Sequence, residues 1–263
     1  FDDVLIGDDA DNQLVGRQGD DILDGGDGDD VLVGGSGDDE LFGGDGFDIA
    51  VYSSKFDTGS FGVNVDLEFG DATDQFGGFD LLFDIEGVVG SSGNDLLFGN
   101  DEDNFFAGRA GSDYIDGGGG SDIVDYSRDA EFGGTSGVNV NLATTIAIDG
   151  FGSTDQLISI EKVRGTEFAD VITGDVAATS QPNIFWTLAG DDDVTGGAGT
   201  DRVDYSQDAD FGGTGGITVN LSADIVNGLA AGTAIDGFGA TDTLTGIEQV
   251  VGTAQGDTIT GSA

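Results

Sequence analysis

The sequence predicts an all-β solenoid of stacked repeats, and three observations lead there. A nine-residue pattern, Gly-Gly-x-Gly-x-Asp-x-apolar-x, recurs along the chain, as in Gly25-Gly26-Asp27-Gly28-Asp29-Asp30-Val31-Leu32-Val33 and Gly34-Gly35-Ser36-Gly37-Asp38-Asp39-Glu40-Leu41-Phe42. The composition is that of a chain full of turns: 263 residues include 50 glycines and one proline, without the three-residue period of collagen. A longer segment between the nonapeptide blocks is itself repeated, so the whole chain is a single array.

Taken in order, residues 1–51 form a first glycine-rich block, with turns opening at Gly7, Gly16, Gly25, Gly34 and Gly43. Residues 52–89 form a first connector. A second block, 90–125, opens turns at Gly90, Gly99, Gly108 and Gly117, and a second connector covers 126–164. A third block, 165–204, is interrupted by an insertion near 175–182 that carries the only proline. A third connector, 205–251, leads into the start of a fourth block, 252–263. In each nonapeptide the second residue after the aspartate is apolar: Leu5, Leu14, Leu23, Leu32, Leu41, then Leu97, Phe106, Ile115, Val124, then Ile172, Phe185, Val194, Val203. A nine-residue period stacks these side chains into rows, giving a narrow core that no single repeat could bury alone.

The connectors share three features. Tyr52-Ser53, Tyr126-Ser127 and Tyr205-Ser206 open them. Gly62 to Leu67, Gly137 to Leu142 and Gly216 to Leu221 alternate like half-buried strands. Ile85-Glu86, Ile160-Glu161 and Ile247-Glu248 close them, each glutamate two residues before a valine and four before a glycine, in the aspartate slot of the nonapeptide. Asp80, Asp155 and Asp242, six residues before those glutamates, read as turn formers. Tyr52, Tyr126, Tyr205 and Trp186 read as core or corner aromatics rather than a carbohydrate platform. The chain enters and leaves in mid-repeat, which suggests a segment of a longer array whose ends could stack on similar repeats.

Charge and missing residue types exclude whole classes of function. With 52 acidic against 7 basic residues the formal net charge is −45, opposite to what nucleic acid or an anionic membrane attracts. No apolar run approaches the length of a membrane span. Without cysteine there are no disulfides, thiolate nucleophiles or cysteine-held metals, and without histidine the commonest general base is missing. Acids occur everywhere and no pair is chemically distinguished, so the segment is not expected to be an enzyme.

Tyr114-Ile115-Asp116 through Gly117-Gly118-Gly119-Gly120-Ser121-Asp122 resemble the RTX family, the glycine-rich calcium-binding repeats of bacterial type I secreted proteins. Val124-Asp125-Tyr126-Ser127 and the run from Ile160 to Thr166 resemble the linking segment of long RTX proteins. The resemblance implies a right-handed parallel β-roll or β-helix solenoid, with two nonapeptides per rung and calcium between turns stacked on the same side. It implies ligands from glycine carbonyls, at Gly16, Gly25, Gly34, Gly43, Gly108, Gly117 and Gly196, and from sixth-position side chains. Aspartates two repeats apart would share an ion: Asp3 with Asp21, Asp21 with Asp39, Asp30 with Asp48, Asp95 with Asp113, and Asp170 with Asp192. Asn12, Asn104 and Asn183 would make looser pairs with Asp30, Asp122 and Asp201, and Asp257 would begin a further ladder. Roughly ten calcium ions follow, each neutralising two charges, with oxygen-only ligands that suit a hard cation.

The function implied is that of an extracellular calcium-binding protein of a bacterium, secreted or at the cell surface. It would fold on meeting calcium outside the cell after type I export. The array would serve as a structural or adhesive rod, filament or surface-layer element, its partners being calcium, its own repeat ends, and a cell surface or polysaccharide. The alternative is the non-catalytic C-terminal module of a larger secreted enzyme such as a protease, lipase or polysaccharide epimerase.

Overall fold

A computed structural model describes residues 1–53, 61–176 and 181–261. Half of the insertion expected near 175–182, residues 177–180, lies outside the described residues, as do 54–60 of the first connector and the last two residues. The chain forms two compact units, one of Phe1–Val124 with Ser153–Ile160, the other of Asp125–Gly152 with Glu161–Ala263. Short strands dominate both, mostly three to six residues long and mostly paired in parallel, which is the architecture of a β-roll solenoid.

In the first unit, successive nonapeptides alternate between two sheets. Val4–Ile6, Ile22–Asp27 and Glu40–Asp45 lie side by side in one, with Leu5 opposite Leu23 and Leu23 opposite Leu41. Gln13–Gln18, Val31–Ser36, Ile49–Val51, Gly87–Val89 and Phe105–Ala107 form the other, aligning Leu14, Leu32, Ala50, Val88 and Phe106 in a column. Within a block the partner in each pair stands two repeats away because one turn of the roll consumes eighteen residues, whereas Ala50 meets Val88 across the connector. Both rows point inward between the sheets: Leu23, Leu32, Ala50, Val88, Phe106 and Val124 have no exposed surface. This is the slim stacked core that the nine-residue spacing predicts.

The connector departs from the purely parallel pattern. Asn64–Asp66, Asp71–Thr73 and Phe79–Phe83 make an antiparallel meander. Its last strand pairs in parallel with Glu40–Asp45 and its first with Leu96–Phe98. The segment therefore extends one sheet, while the opposite sheet passes directly from Ile49–Val51 to Gly87–Val89. Alternation in the Gly62–Leu67 motif sets this inward face, where Val63 and Val65 are buried.

The second unit repeats the plan. Lys162–Arg164, Ile184–Trp186, Arg202–Asp204 and Gln249–Val251 stack in parallel, aligning Val163, Phe185, Val203 and Val250. In its other sheet Asn139–Asn141, Val171–Thr173, Asp193–Thr195 and Thr241–Thr245 are parallel neighbours. A meander through Thr233–Ile235 and Thr218–Asn220 then leads to Thr258–Thr260. Tyr52, Tyr126, Tyr205 and Trp186 are all buried. No helix among the described residues is long and apolar enough to cross a membrane.

Candidate calcium sites

The nonapeptide turn uses its glycines for two different reasons. The second and third adopt left-handed backbone, as at Gly26 (φ 104°) and Gly28 (φ 116°), which a side chain would strain. The first must be bare because its side-chain space faces ligands. A Cβ on Gly25 would collide with Asp30 Oδ2 and stand 2.7 Å from the Gly43 carbonyl oxygen. At Gly16 the same place is contested by Asp21 Oδ2 and the Gly34 carbonyl oxygen, the latter at 2.7 Å. Asp48 Oδ2 and the Asp84 carbonyl crowd Gly43, Asp122 Oδ2 and the Ser159 carbonyl crowd Gly117, and Asp201 Oδ2 and the Gly246 carbonyl crowd Gly196. Gly34 and Gly108 are faced by Asp39 Oδ2 and Asp113 Oδ2. A carboxylate of one repeat and a carbonyl from the next rung thus converge at Gly16, Gly25, Gly43, Gly117 and Gly196. Gly25→Ala is expected to weaken calcium binding at that turn, measured as a lower ion count in equilibrium dialysis, while an unchanged count would contradict the convergence.

The sixth-position residues are tied together two repeats apart. The Asp3 N–H donates to Asp21 Oδ1 (2.7 Å), that of Asp21 to Asp39 Oδ1 (2.8 Å), and that of Asp30 to Asp48 Oδ1 (2.8 Å). Asp95 donates likewise to Asp113 (2.9 Å) and Asp170 to Asp192 (2.8 Å). The asparagines join the same ladders: Asn12 to Asp30 (2.7 Å), Asn104 to Asp122 (2.8 Å) and Asn183 to Asp201 (3.0 Å). Every expected pair is brought together. Glu86 and Glu248 occupy rungs too, Oε2 accepting from the Asp48 and Asp201 N–H groups at 2.8 and 3.0 Å.

One carboxylate oxygen is used by the ladder, and the fate of the other separates the repeats into three kinds. At Asp21, Asp30, Asp39, Asp48, Asp192 and Asp201, Oδ2 is buried and has no hydrogen-bond partner among the described residues. An ionised oxygen in that position is costly unless a cation or proton meets it. Burial drives the proton affinity of Asp39 up to about 6 and, with the charges of Asp170, Asp242 and Asp236 added, that of Asp192 to about 10. Asp48 and Asp201 are raised by burial as well.

At Asp95, Asp170 and Asp257 a hydroxyl follows the first glycine in place of the second. Ser91 Oγ donates to Asp95 Oδ1 (2.7 Å), Thr166 Oγ1 to Asp170 Oδ1 (2.8 Å) and Thr253 Oγ1 to Asp257 Oδ1 (2.9 Å). The Ser91 and Thr166 N–H groups take the other oxygens of Asp95 and Asp170 at 2.8 Å. These turns are closed by protein donors. In the third kind, Asn12, Asn104 and Asn183 present Oδ1 at the first glycine, where it accepts from the Asp8, Asn100 and Asp175 N–H groups at 2.7, 2.8 and 3.0 Å.

Asp80, Asp155 and Asp242 correct the sequence reading. They are buried rungs rather than turn formers, their Oδ1 atoms accepting from the Asp39, Asp113 and Asp192 N–H groups at 3.0, 3.1 and 3.3 Å. The signal was present as Asp-x-apolar, with Leu82, Leu157 and Leu244 buried two residues later. Tyr205 Oη donates to Asp242 Oδ2 at 2.7 Å.

Buried unpartnered carboxylate oxygens beside carbonyls fit a hard cation with oxygen-only ligands. No three Asp, Glu, His or Cys side chains among the described residues gather closely enough to hold a metal by themselves. Backbone carbonyls would accordingly supply much of any coordination shell. A family model of the RTX calcium-binding nonapeptide repeat matches the chain in four copies, at residues 1–32, 15–50, 89–124 and 178–211. The matched segments contain the turns with buried carboxylates at Asp21, Asp30, Asp39, Asp48, Asp192 and Asp201. The chain is a β-roll protein that carries four copies of the RTX calcium-binding nonapeptide repeat.

Proposed function

We propose that this chain is an extracellular structural or adhesive element that is exported unfolded and becomes ordered on meeting calcium. The observation that carries the reading is the pair of rows of buried Oδ2 atoms, Asp21 with Asp39 on one edge and Asp30 with Asp48 on the other, each facing the first glycine of its own turn. Like charges stacked at rung spacing repel, and a divalent ion between rungs reverses that repulsion. Low calcium inside a cell and millimolar calcium outside then set where the chain folds, since extracellular modules work in that affinity range. Repeat sequence fills the chain, with no segment of different composition in which a catalytic centre could be housed. This supports a structural role over catalysis.

Light scattering after size-exclusion chromatography in millimolar calcium tests the role. Assemblies larger than one chain are the expected result, whereas a strictly monomeric species would favour the accessory-module alternative. Within the ladder, Asp21→Ala is expected to shift the midpoint of a calcium titration further than Asn12→Ala. Asp21 serves two rungs and leaves a buried carboxylate oxygen for a cation, while the Asn12 oxygen already accepts from Asp8. Equal midpoints would contradict the pairing.

A further inference from the structure

The connectors hold a carboxylate that the nonapeptide pattern does not contain. Where a repeat would place its glycine turn, the first connector runs from Asp74 through Gln75-Phe76-Gly77-Gly78-Phe79 to Asp80, and the third from Asp236 through Gly237-Phe238-Gly239-Ala240-Thr241 to Asp242. The two loops are built alike. Asp74 Oδ1 accepts from the Phe76 and Gly78 N–H groups (2.8 and 2.7 Å), and Asp236 Oδ1 from those of Phe238 and Ala240 (3.0 and 2.7 Å). Each loop is stacked on a nonapeptide turn of its own unit. Asp38 Oδ1 accepts from Phe79 N–H at 2.8 Å, and Asp191 Oδ1 from Thr241 N–H at 2.8 Å.

The second oxygen of each opening aspartate is the independent observation. Asp74 and Asp236 are 3% and 1% exposed, and neither Oδ2 has a hydrogen-bond partner among the described residues. Asp39 and Asp192, on the turns beneath, also keep a buried unpartnered Oδ2. In the first connector the direction is fixed by Gly78: a Cβ there would lie 3.1 Å from Asp74 Oδ2 and collide with the carbonyl oxygen of Gly37, on the turn below. The charge of Asp74 is felt at both Asp39 and Asp80, and that of Asp236 at both Asp192 and Asp242. Asp39 with Asp74, and Asp192 with Asp236, have no basic partner among the described residues, and two such copies are the mark of a missing positive charge.

We infer that each of these connector loops is a cation site of a second kind, in which Asp74 (or Asp236) supplies a carboxylate where the nonapeptide turn offers only glycine carbonyls, and shares a calcium ion with Asp39 (or Asp192) of the rung below. The inference rests on the calcium reading of the nonapeptide turns and extends it into segments that lie outside the repeat. It gives the loop a chemical reason for starting with aspartate.

The test is a count of bound calcium by equilibrium dialysis and elemental mass spectrometry. Asp74→Asn and Asp236→Asn keep an oxygen for the amide clamp, so each is expected to lose one ion per chain, and the double variant two. Asp24→Asn, which alters an exposed acid on a strand, is expected to lose none. Undiminished counts in both connector variants would overturn the inference, whereas a wild-type chain that holds no calcium would sink the nonapeptide reading instead. Crystals of the wild-type chain grown in calcium decide the matter even where a variant folds poorly. Anomalous peaks at about 2.3–2.6 Å from Asp74 Oδ2 and Asp236 Oδ2 are expected, and loops without them would overturn it.

Discussion

Transferred from millimolar calcium into chelator at pH 8, the chain is expected to lose its parallel-sheet circular dichroism and expand towards a radius of gyration of about 57 Å, the size of an unfolded chain of this length. Ordering a backbone costs about 1–2 kcal/mol per residue, and 50 glycines put this chain at the expensive end. Against that stands one narrow row of apolar residues per sheet, with much of the outward face exposed, including Val4, Ile22, Leu96 and Val171. A net charge of −45 adds self-repulsion that grows on compaction. Cation binding supplies the missing favourable term and couples folding to the ion, as in other metal-dependent domains. Small-angle scattering across a calcium titration measures the change. A chain that keeps its folded dimensions in chelator would show that the apolar rows suffice alone.

Acidification should partly replace calcium. Burial raises the proton affinity of Asp39, Asp95 and Asp170 to about 6, of Asp80, Asp208 and Asp242 to about 7, and of Asp192 to about 10. In the unfolded chain these groups titrate near about 3.9. Between those limits the folded state binds more protons than the unfolded state, so its stability without cations falls as pH rises. The contribution is complete below about pH 4 and lost on passing through pH 6–7, with Asp192 extending the loss towards pH 10. In chelator, lowering the pH from 8 to 5 is therefore expected to restore sheet signal. In calcium the same step is expected to weaken ion binding, because protons compete for the same oxygens. A chelated chain whose sheet content rises with alkalinity would reverse the sign and refute the account.

The periodicity of the sequence carries the architecture because the core has the same period. Leu23, Leu32, Ile115 and Val194 are buried at the positions that the nine-residue count assigns. The ladders were legible for the same reason, since residues eighteen apart in sequence become neighbours on successive rungs. What escaped notice has a physical cause in each case. Asp80 and Asp242 follow loops with no glycine pair five and four residues ahead of the aspartate, so their Asp-x-apolar signature stood without its usual preface. The capping by Ser91 and Thr166 was not legible, because a hydroxyl that caps a carboxylate and one that faces water look alike in sequence. The antiparallel meanders were hidden by alternation, which marks a half-buried strand but not the direction of its partner.

In the first unit the connector lengthens one sheet and leaves the other untouched, and the two edges of the roll inherit different freedoms. Along the edge that runs through Asn12, Asp30, Asp48 and Glu86, each rung follows the last without interruption. Along the edge through Asp3, Asp21, Asp39 and Asp80 the ladder stops at the meander and begins again where Val63 N–H donates to Asp95. The second unit shows the same division, and its meander carries the extra stretch around Asp224 to Leu229. Sequence of new length can therefore be spliced into one side of such an array while the other side keeps count, so that the molecule can diversify without losing its register.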